Sequence, residues 1–186
     1  MIIPRVTTDR LLLRGFEPHD LDAYATMVAD PEFMRYLGDG QPLDRVGAWR
    51  QMALFAGHWL LRGFGLWAVE ERATGALVGR IGCWEPEGWP GFEVGYAVAR
   101  PFWGRGYATE GARAALQYAR DVLARDRIIS LIRPENVASI RVAERLGAVL
   151  DGERDYFGSS TKLYVYPPQR EYAAVNAPAQ SRPRAE

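Results

Sequence analysis

The sequence predicts an α+β domain: one central, mixed but mostly antiparallel sheet flanked by helices. Three observations predict it. Short apolar runs bounded by turn residues, as at 66–71, 77–84 and 128–132, have the length and pattern of strands. Longer stretches, as at 43–61 and 107–124, carry apolar residues at helical spacing. In order, the chain reads as a strand, two helices, three mainly antiparallel strands, two strand–helix alternations and a closing hairpin, which is the order of a sheet covered by helices.

Leu11-Leu12-Leu13 is the first strand. Pro18-His19-Asp20 starts a helix that Asp20 or Glu17 can cap, with Leu21, Tyr24, Ala25 and Val28 on one face. Asp30-Pro31 ends it, because a residue before proline is pushed out of the helical region. Gly38-Asp39-Gly40 is a loop. The second helix, 43–61, places Val46, Trp49, Ala53, Ala56 and Leu60 at helical spacing and stops at Gly63. Strands 66–71 and 77–84 join through Arg72-Ala73-Thr74-Gly75. After a loop at 85–90, strand 92–98 leads to a glycine-rich turn and a helix over 107–124, with Ala108, Gly111, Ala112, Ala115, Leu116 and Ala119 inward. A buried strand covers 128–132. A short helix covers 136–146, with Gly147 just past its end. Segments 149–157 and 161–166 form a hairpin around Gly158-Ser159-Ser160. Residues 169–186 hold proline, alanine and charge without period and read as a mobile tail, leaving a domain over 1–168.

At 186 residues the chain is long enough for one domain with a sizeable core. Its 23 basic and 23 acidic residues cancel, which argues against bulk attraction to nucleic acid or to a membrane surface. One cysteine, Cys83, excludes an intrachain disulfide and a multi-cysteine metal site, and two distant histidines, His19 and His58, argue against zinc, so no metal is expected. With no apolar run long enough for a membrane span and no signal-peptide pattern, a cytoplasmic location is expected.

The most informative segment is Phe92-Glu93-Val94-Gly95-Tyr96-Ala97-Val98 followed by Trp103-Gly104-Arg105-Gly106-Tyr107-Ala108. Strand, glycine turn and helix N-terminus make the geometry that holds a pyrophosphate, since the first helical turn offers free N–H groups and partial positive charge. Gly104 and Gly106, lacking Cβ, let a phosphate approach the backbone. A nucleotide-like ligand is therefore expected. The ATP-binding P-loop is set aside because no Gly-Lys pair followed by Ser or Thr occurs. The dinucleotide fingerprint fails because Thr109 takes its third glycine position. Taken alone, the turn could also be a plain connector.

Three segments together carry a resemblance. They are Thr7-Thr8-Asp9-Arg10-Leu11-Leu12-Leu13-Arg14, the stretch from Glu93 through Trp103 to Glu110, and Asn136-Val137-Ala138-Ser139-Ile140-Arg141-Val142-Ala143-Glu144-Arg145-Leu146-Gly147. The chain up to about residue 168 resembles the GNAT superfamily of N-acetyltransferases, in particular the ribosomal-protein alanine/serine N-acetyltransferases. The resemblance implies acetyl-CoA as donor, a primary amine as acceptor, and a fold whose fourth and fifth strands splay apart to admit the pantetheine arm. The protein would act as a monomer or homodimer. A non-catalytic acyl-CoA-binding sensor is the alternative.

Amine acetylation needs a base, an oxyanion stabiliser and a proton for the departing thiolate. The resemblance places the base at Glu93, acting through water. By strand alternation, Gly95 and Ala97 leave a shallow floor on the Glu93 side. As a plain strand residue, Glu93 would instead be solvated or ion-paired. The resemblance further gives the oxyanion donor as an N–H near Val98, with the Ala97–Val98 backbone pairing with pantetheine. Asn136 would also contact pantetheine and Ser139 would face the thioester, although both also suit a helix start. Trp103, Gly104, Arg105, Gly106, Tyr107, Ala108 and Thr109 would form the pyrophosphate loop, with Arg105 as its basic side chain. Two departures stand out. Ala143 takes the place of a tyrosine that often serves as the thiolate acid, leaving Ser139, Tyr156, another tyrosine or water. Trp103 stands where Gln or Arg is common, and Arg100 could compensate. Among the aromatics, Tyr36, Trp59, Trp67, Trp84, Trp89 and Phe92 could wall an acceptor pocket, Trp89 first because it sits in a loop. Glu85 and Glu87 in that loop could attract a cationic amine.

Overall fold

The computed structural model describes residues 2–168 apart from 157, so the segment expected as a tail lies outside the described residues. Eight strands form one sheet in the order β1-β2-β3-β4-β5-β6-β8-β7. They are β1 (Val6–Thr7), β2 (Leu11–Arg14), β3 (Leu66–Glu71), β4 (Leu77–Trp84), β5 (Glu93–Val98), β6 (Ile128–Ile132), β7 (Val149–Tyr156) and β8 (Ser159–Tyr166). The α-helices are α1 (Leu21–Val28), α2 (Pro31–Met34), α3 (Arg45–Arg62), α4 (Tyr107–Asp121) and α5 (Val137–Arg145). All neighbouring strands run antiparallel except β5 and β6.

Alternation along the strands gives the sheet two apolar faces. Leu11, Leu13, Ile81 and Val94 pack with Ala112, Ala115, Leu116 and Ala119 of α4. Leu66 and Ala68 pack with Tyr24, Val28, Met52 and Phe55 of α1 and α3. The inner side of α4 is small for a reason: a Cβ at Gly111 would lie 2.4 Å from Ile81 Cδ1, so helix and sheet approach more closely than larger residues permit.

The hairpin over 66–84, strand β6 and the Asn136 cap fall where the sequence places them. Other elements differ. The helical face read from Val46, Trp49, Ala53, Ala56 and Leu60 is the exposed one, and Ala48, Met52, Phe55 and Trp59 are buried instead. Two apolar stripes run along α3, and the one with Met52, Phe55 and Trp59 buries more surface and anchors Trp59 Nε1 to Leu66 O at 3.0 Å. Asp30-Pro31 ends α1 but also opens α2, with Asp30 Oδ1 accepting from Glu32 N at 3.0 Å. Two-residue β1 was not legible, and β8 begins at Ser159, so the hairpin turn is tighter than expected. Helix α4 stops at Asp121, ahead of Ala124 with its φ of 49°.

A buried ion cluster ties β2 to the residue before α1 and to β3. Arg14 Nη1 and Nη2 donate to Asp20 Oδ2 and Oδ1 at 2.7 and 2.8 Å, and Arg14 Nε donates to Glu70 Oε2 at 2.9 Å. Asp20, expected as a cap, also accepts from Glu17 N at 2.8 Å.

The sheet has one seam. Strands β5 and β6 share a single register pair, Glu93 with Ile129, and Ile129 N donates to Phe92 O at 2.9 Å. Beyond that pair side chains replace the ladder. Ser130 Oγ donates to Val94 O at 2.7 Å, and Glu93 Oε1 accepts from Leu131 N at 3.1 Å. This is the splay that the resemblance implies; the extra β1 makes these strands the fifth and sixth.

Candidate active site

The glycine turn is held from outside. Arg10 Nη1 donates to the Arg105 carbonyl at 2.8 Å, and its guanidinium lies 4.6 Å from the Tyr107 ring centroid. Glu110, in the first turn of α4, accepts from Thr8 Oγ1 at 2.6 Å, Arg10 N at 2.9 Å and Arg10 Nε at 2.7 Å. The Tyr107 hydroxyl donates to Glu71. The Thr8–Arg10 segment thus clamps the start of α4. Gly104 and Gly106 have φ of 75° and 81°, left-handed values that favour glycine, and nothing lies within 4 Å of a Cβ placed on Gly104.

Two cavities open on the seam. The first, about 570 Å³, is lined by Ala97, Val98, Trp103, Gly104, Gly106, Tyr107, Ala108, Thr109, Asn136, Ser139, Arg141 and Arg145 among others. The second, about 770 Å³, is lined by Glu93, Gly95, Tyr36, Arg80, Trp84, Trp89, Arg133 and Tyr156 among others. Tyr36, Leu37, Tyr96, Asn136 and Ser139 line both, so the cavities meet there. Tyr96 marks the junction, its hydroxyl donating to the Ser139 carbonyl at 2.9 Å.

Most sequence-predicted residues are therefore brought together, with two corrections. Arg105 lines neither cavity: its guanidinium lies over Phe102 and 3.9 Å from Glu71 Oε1, and these hold it outside the turn. Arg100 is likewise engaged, with Nε 2.9 Å from Asp30 Oδ2. Arg141 and Arg145 are the arginines that line the first cavity. Their i,i+4 spacing on the helix that Asn136 caps is a signal the sequence offered and reading around the turn passed over.

The backbone of β5 refines the expectation for its end. Ala99 N donates to Val78 O at 2.8 Å, and a Cβ on Gly79 would lie 2.2 Å from Ala97 O, so Ala97 addresses β4. Alternation then turns the polar groups of Tyr96 and Val98 toward the seam. The Val98 carbonyl accepts from Trp103 Nε1 at 2.5 Å, while the Val98 N–H, directed away from β4 by the same alternation, lies on the wall of the first cavity. Asn136 Oδ1 accepts from Ser139 N at 3.2 Å, the helix-capping role, and both residues still line the junction.

Glu93 is neither solvated nor ion-paired. It is 8% exposed, with Oε1 on Leu131 N and Oε2 accepting from Trp89 Nε1 at 2.8 Å. Burial pushes its carboxyl up to about 7, against the opposing pull of those two donors and of Arg80. Each oxygen keeps a free lone pair for water. Trp89, half-buried, roofs the carboxyl. Tyr36, Trp84 and Trp89 wall the second cavity, whereas Trp59, Trp67 and Phe92 belong to the core. Glu85 and Glu87 pair with Arg125 and Arg62 and do not line it. His58 accepts from Glu85 N through Nε2 at 3.3 Å and bonds Phe64 O through Nδ1 at 2.7 Å, a structural role. Cys83 is buried and its thiol is pushed up to about 12 by burial, so it offers no thiolate.

The Acetyltransferase (GNAT) domain family model matches residues 10–149 of the chain. The chain belongs to the GNAT acetyltransferases. It is 34% identical over 151 residues to uncharacterized protein YkkB of Bacillus subtilis, covering 77% of this chain and 84% of that protein. To the uncharacterized N-acetyltransferase p20 of Bacillus licheniformis it is 30% identical over 173 residues, covering 89% of this chain and 97% of the relative. The crystal structure of an acetyltransferase from Agrobacterium tumefaciens superimposes with a TM-score of 0.79 at 31% identity, covering 89% of this chain and 95% of that one. A GNAT acetyltransferase takes acetyl-CoA as donor. The first cavity of this acetyltransferase fits that ligand: its left-handed glycines leave backbone open beside the α4 N-terminus, and Arg141 and Arg145 line it.

Proposed function

We propose that the protein acetylates a primary amine, a protein N-terminus or a small-molecule amine, at the junction of the two cavities. The observation that carries this reading is Glu93: a buried carboxyl poised near 7, lining one cavity where it meets another that suits the donor. Acetyl-CoA supplies an activated acetyl group; the chain supplies the rest. The second cavity holds the amine and excludes bulk water. Glu93 takes the proton from the incoming ammonium through a water, its protonation state set near the working pH. The Val98 N–H donates to the carbonyl oxygen as it gains charge. Attack forms the N–C bond; as the intermediate collapses the C–S bond breaks, and the Ser139 hydroxyl, lining both cavities, relays the proton leaving the nitrogen to the departing thiolate, since Ala143, fully buried, leaves no phenol at the position often used.

The resemblance to ribosomal-protein acetyltransferases favours a protein N-terminus; the volume of the second cavity also accommodates a free small amine. Ala143 is the one feature in favour of a non-catalytic acyl-CoA sensor. Thermal unfolding with acetyl-CoA, CoA, ATP and NAD, followed by free-thiol release over a panel of amines, decides between them. Acetyl-CoA at 100 times its dissociation constant should stabilise by about 2.7 kcal/mol. ATP and NAD should do nothing, and thiol release should depend on the amine. A melting shift without amine-dependent thiol release would favour the sensor; no shift with acetyl-CoA would refute both.

A second result is expected for the donor. Replacing Arg141 and Arg145 together by Gln should raise the acetyl-CoA KM about a hundredfold or more with kcat retained, since each charge-assisted contact contributes roughly 1.5–3 kcal/mol. Steady-state kinetics at saturating amine tests this, and an unchanged KM would remove both arginines from the donor site.

A further inference from the structure

The amine cavity holds an arginine, Arg80, that forms no salt bridge among the described residues, although its charge reaches the Glu93 carboxyl. Arg80 of β4 lies opposite Ala97 of β5, and therefore on the face of the sheet that carries Glu93. Its Nε is buried without a hydrogen-bond partner among the described residues. Its guanidinium lies over the Phe55 ring, 5.0 Å from the centroid, and lines the cavity. Arg14 provides the contrast. It stands in the same cross-sheet row, through Ala68, yet two carboxylates saturate it. The fold thus gives buried Arg14 two carboxylates and gives half-buried Arg80 only the Tyr24 hydroxyl and the Phe55 ring, leaving it open to the cavity.

The remaining charged lining points the same way. Arg133 donates to Gly38 O at 3.0 Å and pairs with no carboxylate among the described residues. Asp39 accepts from Gln41 N at 3.1 Å. Glu85 and Glu87, which would have drawn in a polycation, are turned to arginines elsewhere. A cavity with two guanidinium groups that form no salt bridge, beside a Glu93 carboxyl reserved for the amine, is poorly suited to a diamine and suited to an acceptor that also carries an anion, because a half-buried guanidinium gains most from a planar, bidentate carboxylate. Arg80 faces the row of Ala97, and Glu93 lies four residues along the same strand, about 13 Å between Cα positions. Both side chains line the same cavity, and the Arg80 charge lies near enough to pull down the Glu93 carboxyl.

Resting on the acetyl transfer proposed above, we infer that the acceptor is a small amine that also carries a carboxylate, of amino-acid type, with the carboxylate on Arg80 and the amine turned toward Glu93. A peptide N-terminus presents an amide where a free amino acid presents that carboxylate, and so leaves the guanidinium without a salt bridge.

The test compares free amino acids, the same amino acids as carboxamides, and aliphatic diamines, with the full chain and saturating acetyl-CoA. The free acids should exceed their amides and the diamines at least tenfold in kcat/KM. Arg80→Gln should abolish that preference by raising the acceptor KM, Arg80→Lys should keep part of it, and the melting shift with acetyl-CoA should be the same in all three proteins. Amides or diamines used as well as the acids, or a preference that survives in Arg80→Gln, would overturn the inference while leaving acetyl transfer standing. Absence of thiol release with every amine would refute acetyl transfer instead. Calorimetry would then decide the inference: the acids should bind the wild type and not Arg80→Gln, and equal or absent binding would overturn it.

Discussion

Replacing Glu93 by Gln should lower kcat by roughly 10²–10⁴-fold, the range typical of losing a positioned base. The pH profile separates this from a general loss of structure. Wild-type kcat/KM should rise with pH through an inflection near 7, where the buried carboxyl ionises, and the Gln variant should lack that inflection. The stability profile runs the opposite way. The carboxyl is raised from an ordinary value near 4.5 to about 7, so the folded state binds its proton more tightly than the unfolded chain does. The resulting stabilisation is complete below about 4.5 and is lost as pH rises through about 7. The wild type should therefore lose melting temperature across that window, and Glu93→Gln should not. One cost attends the substitution: an amide presents one acceptor oxygen, so it cannot satisfy both Leu131 N and Trp89 Nε1. A retained melting shift with acetyl-CoA shows that the donor site survives. An unchanged kcat would end the assignment of Glu93 as base.

Asp20→Ala should cost about 3–5 kcal/mol, the largest stability effect expected of a single substitution here. Asp20 is 2% exposed and Arg14 is 4% exposed, so removing the carboxylate strands a guanidinium that water cannot reach. Glu70 still holds Arg14 Nε, which places the loss nearer the lower end, while the Glu17 N–H loses its acceptor as well. Because domains of this kind are stable by only about 5–15 kcal/mol, the variant should melt roughly 10 °C lower. Burial works to raise the Asp20 carboxyl, but the hydrogen bonds from Arg14 and Glu17 outweigh it and hold it below the ordinary range. That stabilisation is present above the unfolded value of 3.8 and disappears as pH falls through the lower folded one. Denaturant melts at pH 7 test the substitution. A loss under 1 kcal/mol would mean that the cluster contributes little beyond what Glu70 and the Gly15 carbonyl, which accepts from Arg14 Nη1 at 3.1 Å, provide.

The legible parts of the chain were those where one local signal suffices. Turn residues fix the hairpin over 66–84, Asn136 and Gly147 bracket α5, and the small side of α4 names its own buried face. Helix α3 could not be read this way: it is apolar on two stripes, and only the sheet beneath it decides that Phe55 and Trp59 go inward. The site divides similarly. Glu93 and the glycine turn follow from pattern and resemblance. The outward turn of Arg105 could not be foreseen, because it depends on Glu71, 34 positions earlier in the chain and adjacent only through the fold. Arg80 was equally hidden: nothing in its neighbours along the chain says that Arg14 receives both carboxylates and Arg80 none.

The seam between β5 and β6 has a metabolic consequence. A ladder left open between two strands can take an added strand, and on the reading proposed above that strand would be the pantetheine arm, lying against the Tyr96 and Val98 backbone. Folding and donor binding then share free energy. On that reading the fraction that stays folded, and with it resistance to proteolysis, should rise with acetyl-CoA concentration.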